Sequence, residues 1–553
     1  MMNLSYNFGD KYHRFKDFDF SFRIFTLDNI YGVDPEKTKV SYYENTLKLY
    51  SNSFFYAGGK GKIDGYFEAC LNDKGNFIEI MCKAKIEFGN ANLHRDLSFE
   101  EWKIKSLGVL IKGIHVDKVL TSSFNFEDLN LDQGLVLNYP RVWTSYTRSL
   151  PTPILLTYVK DLDRYFYALS MDGIFRPKRF AIRRDLDGVC VIELYHEEKA
   201  MNLSNFIEVP IWRIGFCSDP WDVFKMRMNF MEEKWGLKSW EDRGDVPDWM
   251  KKVSLVVNMH GKHWTGYIFN TFDKMLKILE WISERIEGYR VLVFLPGFNG
   301  RYYYDYPIYE PDPELGGVEG FKKLVDGAHE LGMHVVPMYG AVAAGFRWVK
   351  KLGLEEAIFK DKYELSVVPP NWVDWDADRE RDDTWIPLNL GNPKFQDHLY
   401  NSICKITDEF KVDGAFFDIP HLYVNDYRYD MYEGLKELVN KLKSRYGKDF
   451  LIFGEAYYDA LFPLIPFYHV PFPKNYIDFF HKYVRTTYHL SHPSPGRGST
   501  GVHEFGHQKF FIPNPKEKVI PALCIVEDTI PKYSEEAEKV IEAAKEYAKI
   551  NNL

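Results

Sequence analysis

Only six of the 553 residues are cysteines, and Cys70, Cys82, Cys190, Cys217, Cys404 and Cys524 are scattered, with no CxxC pair. That spacing excludes zinc-ribbon and thioredoxin-type motifs. Most lie in apolar runs such as Leu523-Cys524-Ile525-Val526, the setting of buried free thiols. No apolar stretch approaches the length of a membrane-spanning helix. The opening MMNLSYNFGDKYHRF lacks the apolar core of a secretion signal. A cytoplasmic protein without a membrane partner is expected. A basic excess is also missing: 70 Lys and Arg against 79 Asp and Glu leave a net charge of −9, which argues against a nucleic-acid partner. There is no internal repeat, no low-complexity segment and no HExxH helix. Neither a metal ion nor another cofactor is expected. Oligomeric state is left open by the sequence.

Aromatic residues are abundant, at 17% of the chain. Sugar rings stack on such side chains, but a β-sandwich core consumes them too. The chain is long enough for two or three domains, and its grammar changes once. Up to about residue 209, short strand-like runs such as 46–50, 66–70 and 188–194 alternate with turn signals such as Asn72-Asp73-Lys74-Gly75. This pattern predicts a large antiparallel sandwich. A helical stretch from Pro220 to about Trp235 follows, and 241–247 reads as a linker.

After Pro247 the runs become strand–helix units. Strands are predicted at 253–257 and 291–295 and from Val335, alternating with helices that stop at Gly288 and Gly332. Asn392-Pro393 is a strong helix start. The expected architecture is an N-terminal antiparallel β-sandwich with a helical linker (1–245), then a (β/α)8 barrel with a C-terminal helix (246–553). Its second half reads as degenerate, because only about 75 residues separate Glu455 from Ile530. Strands are expected there at 466–470, 509–512 and 522–526, and a last helix from Ser534.

The run VDGAFFDIP carries the most chemistry. Ala415-Phe416-Phe417 is a short apolar strand ending in Asp418. A helix with Met431, Leu435, Leu438, Val439 and Leu442 on one face and a stop at Gly447 leads to Leu451-Ile452-Phe453, which ends in Gly454-Glu455. In a parallel barrel such carboxylates face the catalytic mouth, and a pair of them is what glycoside hydrolysis needs. The bland alternatives are that Asp418 caps its loop or pairs with Arg428, and that Glu455 bonds to Tyr457 or Tyr458.

Residues 316–336 resemble the run entering the third strand of α-amylase-type barrels. Asp413-Gly-Ala-Phe-Phe-Asp418 and Phe453-Gly-Glu455 are similar to the fourth-strand nucleophile and fifth-strand acid/base motifs of those enzymes. The family arginine two residues before the nucleophile is Phe416 here. Its third-strand Asp and Asn-His are replaced by Pro337-Met-Tyr-Gly-Ala341. A sandwich preceding the barrel looks more like the α-galactosidase and α-N-acetylgalactosaminidase group. The resemblance is therefore to the wider superfamily of α-glycosidase barrels. It implies a glycoside hydrolase acting on α-linked sugars by a retaining mechanism, with Asp418 as nucleophile and Glu455 as acid/base, and with transglycosylation within its reach.

The substrate, a glycoside or oligosaccharide, is expected to touch His260 and Trp264 after the first barrel strand and Tyr304 and Asp305 after the second. His421 past Asp418, His503 and Glu504 in a Gly-rich loop, and Asp528 after the last strand (with Glu527 its near-equal competitor) complete the set. Asp413 is expected at the far end of the barrel and His329 at a helix end. Asp374, Asp376 and Asp378 lack the Gly and Glu of an EF-hand and read as a solvated loop. Two other functions compete: a catalytically silent carbohydrate-binding barrel, and a metal enzyme centred on His503 and Glu504. Abundant Lys and Glu with few Gln follows the trend of heat-adapted proteins.

Overall fold

A computed structural model describes residues 10–87, 102–121, 126–140, 149–185, 188–263, 266–301, 303–362, 385–469, 477–487, 513–526 and 530–553. The chain forms two compact units. One comprises 1–236 with the short excursions 360–365 and 423–428; the other comprises 237–359, 366–422 and 429–553.

The first unit is a single antiparallel sheet of sixteen strands. Period-2 alternation builds it: along Thr46–Tyr56, Leu47, Leu49 and Ser51 are buried while Lys48 and Tyr50 face out. Strands distant in the sheet order meet face to face. Phe22 packs on Phe67 at 4.9 Å, Phe18 on Phe216 at 5.8 Å and Phe180 on Trp212 at 5.6 Å. The sheet therefore doubles back as a sandwich, and its core absorbs many of the aromatics. The helix Trp221–Trp235 closes the unit's main segment.

The second unit is built on parallel strands. Leu255–Met259, Val291–Leu295, His334–Gly340, Gly414–Asp418 and Leu451–Gly454 pair in that order. Phe467–Tyr468, Arg485–Thr487 and Val519–Ile520 continue it, and Ala522–Ile525 returns to the first strand. The last two pieces are neighbours in the chain, interrupted only by Pro521. Its carbonyl still accepts the Val256 N–H at 2.9 Å, although proline has no amide hydrogen of its own to donate. The result is a nearly closed barrel of eight strand positions.

The helices follow the sequence signals closely. Asn392 caps Pro393–Phe410 through the Phe395 N–H at 3.1 Å. Asp430 caps Met431–Tyr446, and Gly447 ends it. Gly317–Glu330 leads into the third strand, and Ser534–Ile550 is the final helix. Gly414 is needed because a Cβ there would lie 2.4 Å from the Leu451 carbonyl oxygen. The strand expected at 466–470 is reduced to two residues. The strands at 485–487 and 519–520 were not anticipated, since two or three residues carry no periodicity. The strand expected at 509–512 lies outside the described residues.

Candidate active site

Side chains two apart on a strand share a face. Phe416 and Asp418 therefore point the same way, as do Phe453 and Glu455. The phenylalanines identify that way as the barrel interior. Phe416 packs on Phe453 at 4.7 Å and on Phe294 of the second strand at 4.4 Å. His469, just past the sixth strand, meets the same three rings, lying 4.8 Å from Phe294. The two carboxylates stand one step beyond this aromatic layer, at the carboxyl ends of neighbouring strands.

Asp418 is fully buried and Glu455 nearly so. A tight turn joins them. Ile419 has φ of 46°, a left-handed conformation that is strained for a β-branched residue, and its N–H donates to the Glu455 carboxylate at 3.1 Å. Neither Asp418 oxygen makes a hydrogen bond of ordinary geometry to a described residue. Burial pushes this carboxyl well above the usual range, and the charge of Glu455 pushes it further. The Tyr303 hydroxyl and the Ile419 amide oppose that shift more weakly. Two neighbouring buried carboxylates cannot both be ionised cheaply.

Tyrosines from the loop after the second strand cover the end of the third. Tyr303, with φ of 66°, is buried and stacked on Trp385 at 5.2 Å. Tyr306 lies against Gly340, where a Cβ would come within 2.2 Å of its ring. Tyr309 is buried, and its oxygen accepts the Gly340 N–H at 2.8 Å.

The other expected residues have diverse surroundings. His260 is buried against Phe269 at 5.2 Å. Tyr304 is buried with the Arg301 guanidinium 4.6 Å from its ring centre. Asp305 accepts the Arg301 N–H at 2.7 Å and pairs with Arg347, so it braces its own loop. His421 is buried three residues past Asp418. Trp264, His503, Glu504, Glu527, Asp528 and the acidic triplet at 374–378 lie outside the described residues. Arg428 pairs with Asp426 at 3.0 Å rather than with Asp418. Asp413 lies at the amino end of its strand, accepting from His329 at 2.9 Å, His334 at 3.2 Å and the Val335 N–H at 2.7 Å.

Three buried groups near the carboxylates in the chain or fold escaped the sequence reading: His469, Asp459 and Tyr309. The strand expected at 466–470 already placed His469 at a strand end. Asp459 and Tyr309 sit in loops without periodicity.

No protein-family profile matches the chain. Over 215 residues it is 25% identical to a malto-oligosyltrehalose trehalohydrolase of Saccharolobus solfataricus; the match spans 36% of this chain and 33% of that protein. The α-N-acetylgalactosaminidase NagBb of Bifidobacterium bifidum superposes with a TM-score of 0.64 at 12% identity, covering 98% of this chain and 93% of that one. The GH36 α-galactosidase AgaA of Geobacillus stearothermophilus gives 0.51 at 11% identity, over 99% and 74%. The fold is shared with these solved structures: an antiparallel β-sandwich and a parallel barrel. On this fold the chain carries a carboxylate at the ends of the fourth and fifth strands and a tyrosine-rich apolar surface at the end of the third. Among the described residues, no helix is long and apolar enough to cross a membrane.

Proposed function

We propose that the protein is a glycoside hydrolase of α-linked sugars, with Asp418 as nucleophile and Glu455 as general acid and base. The observation that carries this reading is the buried carboxylate pair at the ends of adjacent parallel strands, joined through the Ile419 amide. A desolvated carboxyl beside a second one is costly to keep without a use. The fold neighbours, named as an α-galactosidase and an α-N-acetylgalactosaminidase, make galacto-configured α-glycosides the first substrates to test.

One proton on the pair defines the cycle. Productive binding requires it on Glu455, where it passes to the departing glycosidic oxygen as that bond breaks. Asp418, ionised, attacks the anomeric carbon from the opposite face, and the developing positive charge on the sugar favours its ionisation. Water, deprotonated by Glu455, then releases the sugar with its configuration retained. A sugar hydroxyl in place of that water gives transglycosylation. None of the six cysteines is in a disulfide, which supports a reducing, cytoplasmic setting.

Aryl α- and β-glycosides of common sugars test the activity, and the mutants test the roles. Asp418→Ala should abolish turnover on every substrate. Glu455→Ala should lose less on an aryl glycoside whose leaving group needs little protonation. Azide should rescue Glu455→Ala and give a glycosyl azide of retained configuration. Full activity in Asp418→Ala would end the assignment. Sugar binding without turnover in the native protein would instead favour a catalytically silent carbohydrate-binding barrel.

A further inference from the structure

Asp418 is a dry carboxylate that must carry a negative charge during turnover, yet it makes no ordinary hydrogen bond to the described residues. A candidate donor is anchored one strand away. In the parallel pairing of the third and fourth strands, Gly340 is the direct partner of Asp418. The Gly340 N–H is spent on the Tyr309 hydroxyl oxygen at 2.8 Å, which fixes that oxygen at the end of the third strand. A phenol that accepts one hydrogen bond still has its own proton to give, and Tyr309 gives it to no described residue.

The ring cannot drift from this position. Tyr309 is buried, 4.9 Å from Tyr339 and 5.5 Å from Tyr306, and Tyr306 is seated on Gly340 itself. Any side chain at 340 would displace Tyr306 and with it the Tyr309 anchor. The arrangement is a loop phenol held on Gly340, with its proton given to no described residue, and a carboxylate without an ordinary hydrogen bond on the strand position paired with Gly340.

We propose that Tyr309 is a positioning residue for Asp418: anchored by the Gly340 amide, its phenol donates a hydrogen bond to the Asp418 carboxylate in the ionised state. The inference rests on the reading of Asp418 as the nucleophile. The bond orients one carboxylate oxygen and leaves the other for the anomeric carbon. It also favours the charged form against burial and against Glu455, alongside the Tyr303 hydroxyl and the Ile419 amide. A charge-assisted bond in a dry site is among the stronger ones.

Tyr309→Phe keeps the ring and removes the donor. The expected result is a fall in kcat of roughly 10- to 100-fold with KM changed less than about threefold. The acid limb of the pH profile should move up by about one unit or more. A residue that only fills space would leave that limb in place. A second readout needs no turnover: the protonation midpoint of Asp418, taken from infrared carboxyl difference spectra against Asp418→Asn, should rise by a similar amount in Tyr309→Phe. If the phenylalanine variant does not fold, 3-fluorotyrosine at position 309 is a stronger donor and should lower the midpoint instead. An unchanged midpoint in folded Tyr309→Phe, or in the fluorotyrosine protein, overturns the pairing. A native protein silent on every glycoside but with a Tyr309-dependent midpoint would remove the proposed activity and leave the pairing standing.

Discussion

Asp413 and Asp418 flank the same short strand and have opposite surroundings. Asp413, at the amino end, accepts from two imidazoles and a backbone amide, and these donors hold its carboxyl below the usual range despite burial. Asp418, at the other end, has a second carboxylate for a neighbour and no ordinary hydrogen bond to the described residues, and its carboxyl is raised. One aspartate ties the third strand, the helix before it and the fourth strand together. The other is a buried carboxyl raised by desolvation and by its carboxylate neighbour. The lesson is that burial alone does not single out a candidate carboxylate; burial without ordinary hydrogen bonds does.

The largest effects should come from removing this asymmetry. Asp418→Asn is expected to lower turnover roughly 10⁴-fold or more while raising stability by about 1–2 kcal/mol, because it relieves an unpaired carboxyl. The sign can be checked by pH. The native Asp418 keeps a proton that the unfolded chain gives up near pH 4. Native stability should therefore fall as pH rises from about 4 toward the raised value of Asp418, and the asparagine variant should lack that slope. Calorimetry across this range decides it; a destabilised Asp418→Asn would contradict the account. Asp413→Ala should do the reverse. It leaves His329, His334 and the Val335 amide without their acceptor and should cost about 2–3 kcal/mol. Turnover per folded molecule should stay near the native value, as activity normalised to a folded-fraction measurement will show.

The contrast also separates what the sequence can express from what it cannot. The apolar run before Asp418, the helix face from Met431 to Leu442 and the stop at Gly447 specify the fourth strand, helix and fifth strand almost to the residue, because hydrophobic periodicity is written over long segments. Phe467–Tyr468 and Arg485–Thr487 are too short to write any period, so the second half of the barrel was only partly legible. The carboxylate pair was legible because strand ends in a parallel barrel have a known direction. Tyr309 was not, since its role depends on the register that sets Gly340 beside Asp418, and register is a property of paired strands. The partners of Asp413 were equally hidden: His329 and His334 are 84 and 79 residues away from it in the chain.

The smallest expected effect tests the Asp413 end alone. Its hydrogen bond raises His329 above the ordinary imidazole value, against partial burial and with help from Asp326. A raised histidine contributes stability that is fully present below about pH 6.5 and is lost as pH rises through the folded value. Asp413, held low, contributes stability present above about pH 4 and lost as pH falls through its own depressed value. The cluster should therefore stabilise most between those limits, and the stability difference between native protein and Asp413→Asn should be largest near pH 5–6 and smaller at pH 9. His329 is about one-third exposed, so solvent screens its share, and the change from pH 6 to pH 9 should be no more than about 1 kcal/mol. Denaturant titrations of the two proteins at pH 6 and pH 9 measure it directly. A difference that stays constant, or grows toward pH 9, would mean that His329 is neutral in the cluster and that the amide of Val335 and neutral imidazole donors hold Asp413 without help from histidine charge.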